Sequence, residues 1–444
     1  MEKIVDHSLD LKSGKNKSRI DSSNTTLKRN VAVGIGNFME WFDFAIYGYF
    51  AVIIGTLFFP SNAPGVSFLS SLAVFAVGFL ARPFGAYILG PIGDKFGRKL
   101  VLIITVFGMG AFTTLIGLLP TYDSIGVWAP ILLVLFRFFQ GMMVGGEWSS
   151  AGIFLVESAS PNHRALAASI ITTTAGLAFL IGTATAAWLN VTLTEEQLYS
   201  WGWRIPFILS LFMTILAIYI RRKLTDTPVF EEFKNKKTNL EEEQQNYLSK
   251  KDGFIVTFAF SALFGVSLYY FITYMNNHLV KTVQLTPTTS LILCSIALIF
   301  YVIFNPLVGI VLDKFGRRKI LLFSAAALAI LSYPLFLMIN TGSIILIVSA
   351  LIILGLLVAI TAVSDVVLLV EIFPASIRSS SAALAHNLAL AILAGPGPFI
   401  AAYLIQVTQN PSVPAWYLVT VASIAFMILW KKLPETIHTD ITKG

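Results

Sequence analysis

Apolar stretches of about 20 residues recur along almost the whole chain, and each is long enough to cross a bilayer. Twelve of them, cut at charged or Pro/Gly-rich breaks, lie near 31–59, 66–90, 100–119, 128–156, 165–189, 203–220, 254–280, 288–311, 320–339, 343–370, 379–407 and 414–430. In lipid the backbone must satisfy its own hydrogen bonds, which favours helices. Only 12% of the residues are charged, about half the share in soluble proteins. We therefore predict an all-α integral membrane protein with 12 transmembrane helices, and we exclude a soluble enzyme or nucleic-acid-binding domain.

The basic residues indicate how these helices are oriented. With the N-terminus inside, only Arg82, Arg137, Arg204 and Lys281 of the 31 Lys+Arg lie outside the cytoplasmic tails and connections. Basic segments stay on the cytoplasmic side, so we expect a multi-pass plasma-membrane protein with both termini in the cytoplasm. The net charge of +7 then reflects orientation rather than nucleic-acid binding. The first 30 residues lack an apolar region with a cleavage site, so no removable signal peptide is expected.

Two related loops divide the chain into halves. The sequence GPIGDKFGRK at 90–99 returns as GIVLDKFGRRK at 309–319, in the same orientation. Such a parallel repeat predicts two pseudo-symmetric six-helix bundles. Between them, 15 of the 32 residues from Arg221 to Asp252 are charged, which indicates a solvated linker. The predicted divisions are an N-tail 1–30, an N-terminal bundle 31–222, a central loop 223–252, a C-terminal bundle 253–433 and a C-tail 434–444.

The repeated loop resembles the signature of the major facilitator superfamily, Gly-x-x-x-Asp-(Arg/Lys)-x-Gly-Arg-(Arg/Lys), and the resemblance spans residues 30–433. Segments similar to the metabolite:proton symporter branch lie at 36–48, 81–85, 121–133, 137–147 and 201–207. Segments most similar to its osmoprotectant permeases lie at 272–279, 373–378 and 409–418. The resemblance implies the major facilitator fold and proton symport of a zwitterion such as proline or glycine betaine. Some of these permeases carry a C-terminal coiled coil, whose heptads this sequence lacks, so osmotic activation is not carried over.

Two acids in the first segment are the leading candidates for proton coupling. Glu40 and Asp43 lie one turn apart, with Tyr47 a further turn along the same face. Two ionised carboxylates at this spacing repel each other, which favours a proton on one of them. We predict coupling by Glu40 or Asp43 and a substrate-binding role for Tyr47. The alternative is that both acids are permanently paired with Arg82 or Arg137 and only position helices.

The fourth segment carries Arg137 and, ten residues later, Glu147. The planar guanidinium of Arg137 suits a substrate carboxylate, and Glu147 is a third candidate for proton coupling. An internal salt bridge from Arg137 to Asp43 or Glu147 explains its presence equally well. Gly141 and Gly145 form a small-residue face that predicts close helix packing.

Aromatic residues of the seventh segment form a candidate cage for a cation. Tyr270, Tyr274 and Asn277 share one face of a regular helix. Each aromatic ring attracts a quaternary ammonium by about 0.5–2 kcal/mol. Together with Trp41 or Trp148 from the first half, these residues are predicted to bind substrate. The alternative is simple packing or an interfacial aromatic belt.

Charged residues near the cytoplasmic loops are predicted to act as gates. The equivalent Asp94 and Asp313 can cap helix N-termini of the opposite bundle. The loop arginines are expected to pair with acids that follow the fourth and tenth segments: Arg98 with Glu157, and Arg317 or Arg318 with Glu371. The predicted gating set is Arg82, Asp94, Arg98, Glu157, Arg164, Asp313, Arg317, Glu371 and Arg378. Such contacts would hold an outward-open state and break during transport.

Three further features of the second half carry weaker expectations. Asp365 is interpreted as part of a gating ion pair. His386 is interpreted as a packed, hydrogen-bonded histidine, with a titrating histidine as the alternative. Gly-Pro-Gly-Pro at 395–398 predicts a bend, with a broken-helix binding site as an alternative.

We therefore predict a proton-coupled importer of a zwitterionic osmolyte. The alternative is a proton symporter for a di- or tricarboxylate such as 2-oxoglutarate or citrate, which needs more buried cations than Arg82 and Arg137. The sequence has no G-x-x-x-x-G-K-[ST] motif and no clustered histidines or cysteines, so neither a primary pump nor an enzyme is expected. A channel fits the twofold repeat less well than a two-state carrier does. The expected partners are lipid, protons and a small zwitterion or carboxylate, with no cofactor other than the coupling proton, no metal, no nucleic acid and a monomeric state.

Overall fold

The computed structural model describes residues 3–61, 66–235 and 247–441. Its long helices, α1 to α12 in chain order, are Lys3–Phe58, Val66–Phe96, Arg98–Leu118, Trp128–Glu157, Arg164–Thr192, Arg204–Arg222, Lys250–Lys281, Pro287–Phe315, Arg317–Asn340, Ile344–Glu371, Arg378–Thr408 and Pro414–Lys432. Eleven of them are long and apolar enough to cross a membrane, and α2 has 31 residues. The twelve predicted segments are therefore all helical, and the described ranges contain no strand.

Helix extends into the predicted N-terminal tail and into the predicted central loop. Helix α1 begins at Lys3, so the predicted tail 1–30 continues into the first membrane segment without a break, and no proline interrupts it. A short helix, Pro228–Asn235, occupies part of the predicted central loop 223–252. The middle of that loop, 236–246, lies outside the described residues.

The two halves of the chain meet along two equivalent seams. In one seam α5 packs against α8, and in the other α2 packs against α11. Because α2 corresponds to α8 and α5 to α11 in the repeat, the two seams are related by the internal symmetry. Large apolar side chains such as Trp188, Phe212 and Ile345 are exposed on the outer faces, as expected for surfaces that contact lipid.

The repeated loops share an unusual backbone geometry. Gly97 and Gly316 precede α3 and α9 with φ values of 102° and 96°, a region that favours glycine. A Cβ at these positions would lie 2.0 Å from Asp226 Oδ2 and 2.5 Å from Glu435 Oε2. Both the backbone angle and the packed carboxylate therefore require glycine in the two loops.

Helix α4 packs directly on the backbone of α2. A Cβ on Gly141 would lie 2.2 Å from the carbonyl oxygen of Gly78, and one on Gly145 would lie 2.1 Å from that of Arg82. This is the close approach that the small-residue face predicts. It fixes the backbone of Arg82 against α4.

Helices α7 and α11 each contain a π-helical turn, at Tyr270–Tyr274 and Leu390–Ala394. In α11 the turn is followed by Gly395 and Pro396, and the helix resumes at Gly397. The interruption predicted for this segment is present. A π turn inserts an extra residue, so it changes which side chains face a neighbouring helix.

Candidate functional site

Glu40 of α1 and Arg82 of α2 form a buried but incomplete ion pair. Their side chains are 0% and 2% exposed, and Arg82 Nη2 lies 3.9 Å from Glu40 Oε1. Neither oxygen of Glu40, nor Nε and Nη2 of Arg82, has a hydrogen-bond partner among the described residues. The guanidinium instead lies over the rings of Phe44 and Phe79, 4.9 and 4.7 Å from their centroids. Buried charges are costly unless they are fully hydrogen-bonded, so this pair has unused capacity for a ligand or a proton.

The other acid of α1 is held by α4. Asp43 Oδ2 accepts hydrogen bonds from Arg137 Nη1 at 3.1 Å and from Gln140 Nε2 at 2.5 Å. Gln140 also donates to Thr113 Oγ1 at 2.6 Å, and the Arg137 guanidinium lies 3.8 Å from the ring centroid of Tyr47. The two acids of α1 therefore face different arginines, Asp43 with hydrogen bonds to its partner and Glu40 without them.

Glu147 is bound by an arginine that the sequence analysis assigned to the solvated linker. Arg221 Nη2 lies 2.5 Å from Glu147 Oε1, and Arg221 Nη1 lies 3.1 Å from Oε2. Thr105 also donates to this carboxylate, and both charged side chains are fully buried. Arg221 is counted in the charged stretch 221–252 although it lies within the predicted bundle 31–222; α6 continues to Arg222 and directs the guanidinium of Arg221 into the bundle.

Aromatic rings from both halves meet beside the Glu40–Arg82 pair. The ring of Trp41 lies 6.5 Å from that of Tyr269 in α7, and Phe79 meets Tyr269 edge-on at 5.1 Å. Trp41 Nε1 is buried and has no hydrogen-bond partner within the described ranges. Aromatic faces and unused polar atoms are therefore combined at the junction of the two halves.

The cage predicted on α7 is not formed by the expected residues. Tyr270 and Tyr274 pack on each other, 5.1 Å between centroids, and on Phe336 of α9. Asn277 is exposed and donates to a carbonyl of its own helix. Tyr269, the residue just before the π turn, meets the first half instead, against Trp41 and Phe79.

Trp148 extends from α4 into the second half. Its Nε1 donates to Asp365 Oδ2 at 3.3 Å, and its ring stacks on Phe264 and His386 at centroid distances of 5.5 and 6.2 Å. Ser261 donates to Asp365 Oδ1 at 2.6 Å, and His386 Nδ1 lies 3.2 Å from the same oxygen. A gating role for Asp365 stays a prediction: the side chain is fully buried, and its ionisable partner is His386 of the same half. His386 is packed and hydrogen-bonded, as predicted.

The end of the structure that contains Gly97 and Gly316, here called the basic end, carries the predicted gating residues except Arg82, which lies beside Glu40. Arg378 Nη1 donates to Glu157 Oε1 at 2.6 Å, and Arg98 Nη2 lies 3.4 Å from the same oxygen. The glutamate that ends α4 is therefore shared by an arginine of each half.

The second half repeats this arrangement. Arg317 Nη2 and Arg164 Nη1 lie 3.1 and 3.5 Å from Glu371 Oε1, so this glutamate also joins the two halves. The alternative pairing of Glu371 with Arg318 is wrong, because Arg318 donates to the carbonyl oxygen of Trp430 at 2.8 Å.

Two aspartates add further contacts between the halves at the basic end. Asp94 accepts hydrogen bonds from two backbone N–H groups at the start of α11, at 2.8 and 2.9 Å. Asp313 does the same at the start of α5, at 3.0 and 2.9 Å. Anionic side chains at helix N-termini are favourable, so these contacts hold the basic end closed.

Sequence reasoning missed a third element of the repeat. Asp226 accepts from the first N–H groups of α3 at 3.1 and 3.3 Å, and Glu435 from those of α9 at 2.8 and 3.2 Å. The next residues, Thr227 and Thr436, donate to the shared glutamates at 2.5 and 2.6 Å. An acid followed by threonine, recurring after 209 residues just beyond α6 and α12, was the available signal.

Comparison with known proteins gives consistent matches along the chain. The sequence profile of the Major Facilitator Superfamily matches residues 33–385 and again 253–443. The proline/betaine transporter of Escherichia coli (strain K12) is 34% identical over 415 residues, which cover 90% of this chain and 82% of that protein. The glycine betaine/proline/ectoine/pipecolic acid transporter OusA of Dickeya dadantii (strain 3937) is 34% identical over 414 residues, with the same 90% and 82% coverage.

A solved structure has the same fold. The proton:xylose symporter XylE bound to 6-bromo-6-deoxy-D-glucose superposes with a TM-score of 0.81, over 95% of this chain and 98% of that one. The sequence identity is 17%, so this likeness concerns the architecture alone.

Proposed function

Since the chain belongs to the major facilitator superfamily, we propose that this membrane transporter is a proton-coupled symporter that imports a small zwitterionic osmolyte such as proline or glycine betaine. The family and the relatives named above are transporters rather than enzymes. The substrates in the relatives' names support the substrate class. The buried charges support the mechanism.

The incomplete Glu40–Arg82 pair is the observation that carries the proposal. When Glu40 is ionised, its charge attracts the guanidinium 3.9 Å away. A proton on Glu40 removes that charge and leaves Arg82, with unbonded N–H groups, to bind a substrate carboxylate through its planar fork. Proton and substrate then bind together because an ionised Glu40 competes for the same guanidinium.

The cationic end of the substrate meets the aromatic rings. Trp41 and Tyr269 flank the pair from opposite halves, and an indole face contributes about 0.5–2 kcal/mol to binding a quaternary ammonium. We keep Arg137, Tyr47 and Trp148 as residues that border this site. Tyr270, Tyr274 and Asn277 lie outside it.

Among the predicted coupling acids, we assign the proton to Glu40. Asp43 is hydrogen-bonded to Arg137, and Glu147 is bonded through both oxygens to Arg221. Removing either charge leaves a buried guanidinium without its acid, which costs about 3–5 kcal/mol. Neutralising Glu40 also leaves Arg82 without its acid, but it breaks no hydrogen bond, and the substrate carboxylate takes the place of the lost charge.

The basic end is placed in the cytoplasm of a plasma-membrane protein, together with both termini, because cationic segments remain on that side. The shared glutamates and the capping aspartates then form the cytoplasmic gate. A proton entering down about 150 mV supplies roughly 3.5 kcal/mol, enough for roughly 300-fold accumulation of a neutral solute.

The moving parts in this proposal are the bundles 31–222 and 253–433, joined by the central loop. The site lies between them within one chain, so a monomer is sufficient for transport. The alternating-access step breaks the gate contacts at the basic end and opens the site to the cytoplasm.

A di- or tricarboxylate substrate is the alternative, and the relatives' names do not favour it. A second carboxylate needs a second available cation. Arg137 and Arg221 are both engaged by acids of their own half, which leaves Arg82.

The proposal is tested by uptake into proteoliposomes with an imposed pH gradient, inside alkaline. Labelled glycine betaine or proline should accumulate, and an uncoupler should abolish accumulation while counterflow exchange persists. Uptake of 2-oxoglutarate or citrate without uptake of either zwitterion would overturn the substrate assignment.

A further inference from the structure

A second buried ionisable pair lies apart from Glu40 and is used by nothing described above. Asp365 of α10 and His386 of α11 are 0% and 1% exposed, with His386 Nδ1 3.2 Å from Asp365 Oδ1. Ser261 of α7 lies within hydrogen-bond distance of both, 2.6 Å from Asp365 Oδ1 and 3.0 Å from His386 Nδ1. Trp148 Nε1 completes the cluster from the other half at 3.3 Å from Asp365 Oδ2.

The surroundings of the pair contain no competing charge among the described residues. The groups that face it are Ser261 and Phe264 of α7 and Trp148 of α4, none of which carries a charge. The buried ionisable groups on the helices packed around it have other partners. They are Arg82 with Glu40, Arg137 with Asp43, Glu147 with Arg221, Glu157 with Arg98 and Arg378, Arg164 and Arg317 with Glu371, and His278 with Tyr274 and Asn340. The protonation state of Asp365 and His386 therefore depends on the groups in direct contact with them.

We propose that Asp365 and His386 form a second proton-binding site, in the C-terminal half, and that Trp148 links its occupancy to the N-terminal half. The Asp365 carboxylate accepts bonds from Ser261, from Trp148 and from Nδ1–H of His386. Because Nδ1 is the ring nitrogen that faces Ser261 and Asp365, Nε2 is the atom that gains the proton. The product is an imidazolium beside a carboxylate, a neutral pair in sum.

The link to transport follows from the position of Trp148. Its bond to Asp365 joins α4 to α10, two helices of different halves. When the halves move apart this donor is lost, and the carboxylate, with fewer donors, attracts the imidazolium proton more strongly. Proton affinity in the second half therefore depends on the conformational state. This step rests on the proposed function only in taking the proton as the coupling ion.

Fluorescence of the indole offers a test that needs no substrate. The rings of Trp148 and His386 are stacked with an interplanar angle of 10°, and a protonated imidazole in contact with an indole quenches its emission. In the purified full-length chain, tryptophan emission should fall on acidification, because the bound proton turns the imidazole of His386 into the quenching imidazolium.

Variants assign the titration to the cluster. His386→Gln and Trp148→Phe should each abolish it, whereas His163→Gln, at an exposed histidine outside the cluster, should leave it unchanged. Asp365→Asn should move the fall in emission to lower pH, since an adjacent negative charge favours the imidazolium. A titration that persists in His386→Gln, or a midpoint unmoved in Asp365→Asn, would overturn the proton site.

Transport separates this inference from the proposed function. His386→Gln should lose pH-gradient-driven accumulation of glycine betaine while counterflow persists. If neither glycine betaine nor proline is transported by the unsubstituted chain, the proposed function fails, but the fluorescence titration still decides whether the pair binds a proton. Normal accumulation in His386→Gln would refute its role in coupling.

Discussion

Arg82 Nη2 lies 3.9 Å from Glu40 Oε1 in a fully buried setting, and neither oxygen of that glutamate accepts a hydrogen bond from any described residue. The other arginine–acid contacts in the first half are tighter: Arg137 approaches Asp43 at 3.1 Å and Arg221 approaches Glu147 at 2.5 Å. A buried pair that keeps its charges but not its hydrogen bonds is suited to exchanging partners. We therefore expect Glu40 and Arg82 to take part in transport, and the tighter arginine–acid pairs to stabilise the fold.

Trp41 should contribute to affinity for a quaternary ammonium. Replacing the indole in Trp41→Leu removes a cation–π contact of about 0.5–2 kcal/mol, so the KM for glycine betaine should rise by roughly 2- to 30-fold. The KM of Trp41→Phe, which keeps an aromatic face, should lie between the KM of the unsubstituted chain and that of Trp41→Leu. Concentration-dependent uptake measures both. Equal KM values for the Leu and Phe variants would show that the ring face does not contact the cation.

Glu147 should be structural rather than part of proton transfer. Glu147→Gln leaves Arg221 buried without its acid, which costs about 3–5 kcal/mol, and thermal unfolding in detergent should occur at a clearly lower temperature. The double variant Glu147→Gln with Arg221→Gln should recover part of the loss. A Glu147→Gln protein that keeps its thermal stability and exchanges substrate but cannot accumulate it would instead make Glu147 the coupling acid.

Asp94 should hold the basic end closed. Asp94→Ala removes two hydrogen bonds to a charged acceptor, each worth about 1.5–3 kcal/mol, and should shift the population toward an open basic end by tenfold or more. Spin labels at the exposed positions Arg222 and Lys431, in a Cys294→Ser background, report the separation of the halves. Asp226→Ala is the matched control, because this aspartate caps α3 within its own half. An identical distance distribution in Asp94→Ala and the unsubstituted chain would contradict the gate assignment.

Gly145 should be needed for the contact between α4 and α2. Alanine usually stabilises a helix by up to about 1 kcal/mol relative to glycine, but a Cβ here would lie 2.1 Å from the carbonyl oxygen of Arg82. Gly145→Ala should therefore lower the unfolding temperature and displace Arg82, with loss of uptake. Gly48→Ala, where a Cβ meets nothing within 4 Å, should leave stability equal or raised. Similar unfolding temperatures for the two variants would mean that α4 and α2 separate without cost.

The fold was predictable because its signals are local. Stretches of apolar residues specify the helices, and Gly97 and Gly316 are required by the turn itself. The family and the fold are confirmed. The contacts of Asp94 and Asp313 could also be anticipated, because an acid at a fixed place in a repeated loop has few partners.

The partners inside the bundle could not be predicted in the same way. Arg221 is 74 residues from Glu147, and in the sequence it looks like the first charge of a linker. Choosing Tyr269 over Tyr270 requires knowing how α7 is rotated against α1 and α2, which hydropathy does not reveal. The proximity of Asp365 and His386 depends on how α10, α11 and α4 pack together, which a single sequence does not encode locally.

Proton movement that accompanies substrate tests the central role of Glu40 most directly. Proteoliposomes without an imposed gradient are given glycine betaine outside, and the external pH is recorded. The unsubstituted chain should make the medium more alkaline as protons enter with substrate. Glu40→Gln, which mimics the protonated acid, should catalyse counterflow of labelled glycine betaine but cause no alkalinisation. Substrate-driven alkalinisation that persists in Glu40→Gln would contradict the account.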